Sequence, residues 1–171
     1  MNKIKMIITV CLLVLLLLID GYIIYQSLLE GAVSSKKSET VTEVVVETVD
    51  KVTPGDTSIK DKYTEEEIHA FVRKLVGHFG LCFVSGGLCV LFLICIIKRY
   101  YWTTIIAFSH GLFLSIITEV LQLTKEARTG SFKDSLIDMA GFSLPIIILI
   151  GYVGINHIIK RRKENEQRST I

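Results

Sequence analysis

Ile7-Ile8-Thr9-Val10-Cys11-Leu12-Leu13-Val14-Leu15-Leu16-Leu17-Leu18-Ile19-Asp20-Gly21-Tyr22-Ile23-Ile24-Tyr25 is nineteen residues with one charge. A helix needs about 20 mostly apolar residues to cross the roughly 30 Å hydrocarbon core, where an unpaired backbone group finds no water. Three further stretches meet the same test: Phe79 to Ile97, Thr103 to Leu123 and Leu136 to Ile159. The chain of 171 residues is 50% hydrophobic with a mean hydropathy of +0.51, more apolar than a water-soluble domain requires. The fold class predicted is therefore all-α: a polytopic membrane protein with four transmembrane helices and one polar extracytoplasmic loop.

The first span follows Lys3 and Lys5, as a secretory signal does. The best cleavage position, after Ala32, puts Glu30 where a small residue is wanted, so the segment reads as an uncleaved anchor. Cys11, Cys82, Cys89 and Cys95 all fall in apolar spans, with neither metal-ligand spacing nor a disulfide framework. A net charge of +2, with no basic face, argues against a nucleic-acid partner.

Bases beside the span ends set orientation. The acid-free start with Lys3 and Lys5, the Lys98-Arg99 pair and the run Lys160-Arg161-Arg162-Lys163 place both termini in the cytoplasm of a multi-pass cell-membrane protein. The long loop also carries lysines, but interleaved with acids. Within it Val41, Val45, Val49 and Val52 recur at helical spacing, a pattern that suits an amphipathic surface helix or, by β-branching, a strand. Pro54-Gly55-Asp56 interrupts it. Thr64 followed by Glu67 predicts a capping box, and so a helix that starts outside the membrane and runs into the second span.

Ionisable groups in or beside apolar spans cost a few kcal/mol at a helix centre, so they face a partner or a wet cavity. On the third helix Gly111, Ser115, Thr118, Glu119 and Gln122 share a stripe, and on the fourth Asp134, Asp138 and Gly141 do. Lys74 and His78 are four apart on the second, with Ser85 and Cys89 continuing inward. Arg128, in the loop between the third and fourth spans, adds a bidentate donor. Under the predicted topology these polar ends meet on the outer side. Lys74, His78, Glu119, Gln122, Arg128, Asp134 and Asp138 form the candidate ligand-binding set.

Glu119-Val120-Leu121-Gln122, Arg128-Thr129-Gly130-Ser131 and Asp134-Ser135-Leu136-Ile137-Asp138, ending at Gly141, resemble the signature of the VanZ-like membrane proteins. That family is named for a teicoplanin-resistance protein. Arg73-Lys74-Leu75-Val76-Gly77-His78-Phe79 resembles its second motif, a basic residue shortly before His-Phe. Asp138 stands where many relatives carry Asn, and Pro145 where a second glycine often follows; a proline there is expected to kink the fourth helix. The resemblance implies a division into a first transmembrane helix (1–25), an extracytoplasmic loop (26–63), a VanZ-like helical core (64–159) and a basic cytoplasmic tail (160–171). It also implies a link to glycopeptide resistance.

Three readings of the polar set stay open. The residues pin the third and fourth helices together; or they bind a polar headgroup of a membrane lipid or cell-wall precursor, with Arg128 and Lys74 on phosphate; or the protein is a membrane-embedded enzyme with His78 or Glu119 as general base. No nucleophile motif or metal spacing is present, so no catalytic residue, metal or cofactor is assigned. Asp20 is expected to reach toward the interface or the bundle interior, and His110 to be a hydrogen-bonded packing residue.

Overall fold

The computed structural model describes residues 3–29, 41–48, 51, 63–124 and 132–169. Four helices long and apolar enough to cross a membrane make up the bundle. They are the first helix, Lys3–Leu28; the second, which runs from Glu65–Val72 through a π-helical stretch, Arg73–Gly80, into Leu81–Ile96; the third, Tyr100–Leu123; and the fourth, Phe132–Ser169. Among the described residues there is no strand.

The second helix begins as its sequence predicts. Thr64 Oγ1 accepts from the Glu67 amide at 3.3 Å, and Glu67 Oε2 accepts from the Thr64 amide at 3.0 Å, so two end donors that the helix leaves unpaired are satisfied reciprocally. Those bonds, the backbone one foremost and then the Thr64 hydroxyl, hold the Glu67 carboxyl below its ordinary range. The long loop's described helix, 41–48, docks on this protruding start: Val46 is buried with Ile68 and Val72. Its buried side is Thr42 and Val46, with Val45 half-buried, whereas Val41 is exposed. The valine spacing thus signals a helix but not its inward face; Val49 and Val52, and the Pro54-Gly55-Asp56 break, lie outside the described residues.

Helices pack where small residues let backbones approach. A Cβ on Gly141 would lie 2.5 Å from the Phe79 carbonyl oxygen and 3.1 Å from the Phe83 nitrogen, so the second and fourth helices are nearly in backbone contact there. Gly86 faces the backbone of Phe142 in the same crossing. Pro145 lies within the assigned helix; its ring removes the donor that the Gly141 carbonyl would otherwise receive. The fourth helix does not end with its apolar residues at Ile159 but continues through the basic run to Ser169. The first helix buries Thr9, Leu16 and Ile23, one residue every second turn, together with Ser27. Thr9 and Ser27 return their hydroxyl protons to the carbonyls of Lys5 and Ile23, which satisfies them without a second helix.

Candidate functional site

The candidate residues gather at the end of the bundle that carries the long loop, but in pairs rather than as one cluster. The fourth helix presents Asp138 and Gly141 to the interior, with Asp134 half-buried one turn nearer the end. His78 Nδ1 meets Asp138 Oδ1 at 3.0 Å, joining the second and fourth helices through side chains that are 19% and 8% exposed. The π-helical stretch spans Arg73-Lys74-Leu75-Val76-Gly77-His78-Phe79-Gly80, so the basic-to-His-Phe motif lies wholly in widened helix. A π turn takes more residues than an α turn, which alters the i,i+4 alignment of Lys74 with His78 and of both with Ser85; π segments recur at functional sites. Lys74 is half-buried and makes no ion pair among the described residues.

On the third helix Gly111, Ser115, Thr118 and Gln122 are buried and Glu119 is half-buried, as the stripe requires. Thr118 donates to the Ser115 carbonyl at 2.9 Å, and Ser135 of the fourth helix donates a long bond, 3.5 Å, to Glu119. Asp134 keeps a buried oxygen, Oδ1, that has no hydrogen-bond partner among the described residues. Arg128 and its loop lie outside the described residues. Among the described residues, no group of three or more His, Cys, Asp and Glu side chains is placed to hold a metal ion.

Sequence reasoning missed a second tier. Asp20 of the first helix turns into the bundle, where its carboxylate accepts from Ser85 Oγ of the second helix at 2.5 Å and from His110 Nε2 of the third at 3.0 Å. The His110 ring in turn lies 6.1 Å from that of Phe142 on the fourth. His110 is thus the hydrogen-bonded packing residue expected, and of the two directions open to Asp20 the structure takes the interior. The first helix is more than an orienting anchor, because it supplies the central acceptor. By helical rise Asp20 sits about 12 Å in from Leu28. The signal available was the isolation of Asp20 and His110 in apolar spans.

Residues 8–155 match the family model described as VanZ/LLP1. The chain belongs to the VanZ/LLP1 family. Both motif regions, Arg73 to Phe79 and Glu119 to Gly141, fall within the match, so the paired His78 and Asp138 are residues of the family region of this VanZ-like multi-pass membrane protein. No curated protein and no solved structure matches the chain.

Proposed function

We propose that this VanZ/LLP1 chain sits in the cell membrane with both termini cytoplasmic and binds an envelope-related polar ligand at its outer face, so contributing to glycopeptide resistance of the teicoplanin type. The ligand is a polar headgroup of a membrane lipid or cell-wall precursor, held by Lys74, His78, Glu119, Gln122, Arg128, Asp134 and Asp138. The observation that carries the reading is the buried Oδ1 of Asp134, unpartnered among the described residues. A buried acceptor without a donor costs about 1–3 kcal/mol, and a ligand amine or hydroxyl that reaches Asp134 removes that cost. Lys74, without an ion pair among the described residues, offers the complementary cation for a phosphate.

The test is the full chain in nanodiscs titrated with purified cell-wall lipid precursors. Saturable binding is expected, lost in Asp134→Ala and partly kept in Asp134→Glu; no saturable binding by the wild type across the panel would sink the reading. Cysteine labelling at positions 38 and 131 of intact cells checks the orientation, and reaction only after permeabilisation would reverse it.

The His78–Asp138 contact favours a second reading, a membrane enzyme acting on a lipid or cell-wall precursor headgroup. A carboxylate on one ring nitrogen orients an imidazole and leaves the other nitrogen to move a proton. Lipid mass spectra from cells carrying wild type or His78→Gln should then differ by a discrete product mass, and identical spectra would remove this reading.

A further inference from the structure

We infer that Asp20, Ser85 and His110 form a proton-binding site in the interior of the bundle. Three helices build it. The first gives Asp20, the second Ser85 and the third His110, and both carboxylate oxygens accept, one from each neighbour. The Asp20 and His110 side chains are only 16% and 22% exposed. With His110 neutral and Asp20 ionised the network carries one net negative charge in a part-buried, largely apolar setting, where an uncompensated charge is disfavoured. One bound proton makes it neutral, whether as imidazolium with carboxylate or as imidazole with carboxyl.

The groups around Asp20 leave the proton as the neutralising species. The second helix turns Cys82, Ser85 and Cys89 toward it, the third His110, and the fourth Phe142 against the His110 ring. No Lys or Arg side chain among the described residues pairs with it. The next ionisable pair outward is His78 with Asp138.

Apolar layers lie on either side of the site. Inward, Leu16, Cys89, Val90, Leu93, Ala107, Ile146 and Leu149 pack as one buried cluster, and outward Ile23, Cys82, Leu114 and Phe142 pack as another. A proton that reaches the Asp20–His110 pair adds one positive charge to the site. The site needs no bound envelope ligand, so its fate is separate from that of the binding reading.

The experiment is infrared difference spectroscopy of the full-length chain, labelled with carboxyl-13C aspartate, in lipid nanodiscs after a jump from mildly alkaline to mildly acidic buffer. A labelled carboxyl change or an imidazolium band should rise in the wild type. It should be lost in Asp20→Asn and altered in His110→Gln, yet kept in Gly154→Ala, where an added methyl meets nothing within 4 Å. Histidine-ring nitrogen resonances of the wild type alone guard against misfolded variants: the His110 signal should move across the same jump. A stationary His110 signal together with no band that depends on Asp20 would overturn the proposal.

Discussion

Adding one methyl group at Gly141 should separate the second and fourth helices, while the same change at Gly154 should do almost nothing. A Cβ on Gly141 would sit 2.5 Å from the Phe79 carbonyl oxygen, 3.0 Å from Cys82 Cβ and 3.1 Å from the Phe83 nitrogen. Two of those neighbours are backbone, so no rotamer change relieves them. Ordinary contact begins at 3.4 Å, and the helices must part by about 0.9 Å. Inserting a methyl into a packed interface costs about 1–3 kcal/mol, and backbone neighbours put this one at the upper part of that range. Alanine regains up to about 1 kcal/mol of helix propensity over glycine. Gly154 and Gly151 have nothing within 4 Å, so they take the same gain without the clash. The difference between Gly141→Ala and Gly154→Ala therefore isolates the steric cost, at about 2–3 kcal/mol. Reversible unfolding in bicelles, read by steric trapping, measures both. The parting would also lengthen the 3.0 Å His78–Asp138 contact three residues away, so the His78 ring resonance should shift in Gly141→Ala. Equal stabilities for the two variants, within about 0.5 kcal/mol, would refute the near-contact of backbones.

Removing either member of the outer pair should be felt through the other: Asp138→Ala and His78→Ala are each expected to lose about 1–3 kcal/mol, with a coupling of about 1 kcal/mol in the double-mutant cycle. Additive losses would mean that the pair is not formed. Thr64→Ala should cost the start of the second helix about 1 kcal/mol, seen as faster amide exchange over Ile68 to Val72 with the apolar span unchanged. The same cap depends on pH with a definite sign. Folded Glu67 has a lowered pKa, so its contribution is complete above the unfolded value and fades as pH falls through the folded one. The protection factor at this helix start, which removes the intrinsic pH dependence of exchange, should fall on acidification in the wild type and stay level in Glu67→Gln. Gly111→Ala should also destabilise, since its Cβ would lie 2.7 Å from Phe142 Cγ, and the variant's His110 ring signal should report the displaced phenyl group.

What could be read from the chain follows from the range of each interaction. Apolar length is a local property, and it located all four spans. The Thr64–Glu67 capping box closes within three residues, and both of its bonds are present. The stripes on the third and fourth helices obey helical spacing and are buried as that spacing demands, with Glu119 and Asp134 at their half-exposed edges. The inward face of helix 41–48 is not set by its valine spacing, because six of its eight residues are β-branched Val or Thr. Docking on Ile68 and Val72 chose Val46 and Thr42 over Val41. The π-helical stretch left no periodic trace in eight residues, although Gly80 removes a side chain where the widened turn crowds: a Cβ there would lie 3.2 Å from the Leu75 carbonyl.

The polar tier at mid-depth was illegible for a different reason. Ser85 is 65 residues from Asp20 and His110 is 90, on separate helices, so no spacing rule relates them. Yet each is an exception in its own span, and the exceptions are physically linked. A carboxylate on an isolated apolar helix costs about 2.5–3.5 kcal/mol on insertion scales. The first helix, whose other inward polar groups are the self-satisfied Thr9 and Ser27, has no means of meeting that cost alone. Asp20 therefore demands donors from other helices at its own depth, about 12 Å from the long-loop end. Ser85 lies seven residues inward of His78, about 10 Å, and His110 lies nine residues inward of Glu119, about 14 Å. Polar exceptions in a bundle are thus to be matched by depth across helices rather than by spacing along one. By that rule Asp20 selects Ser85 and His110 and passes over the outer His78, which Asp138 already occupies.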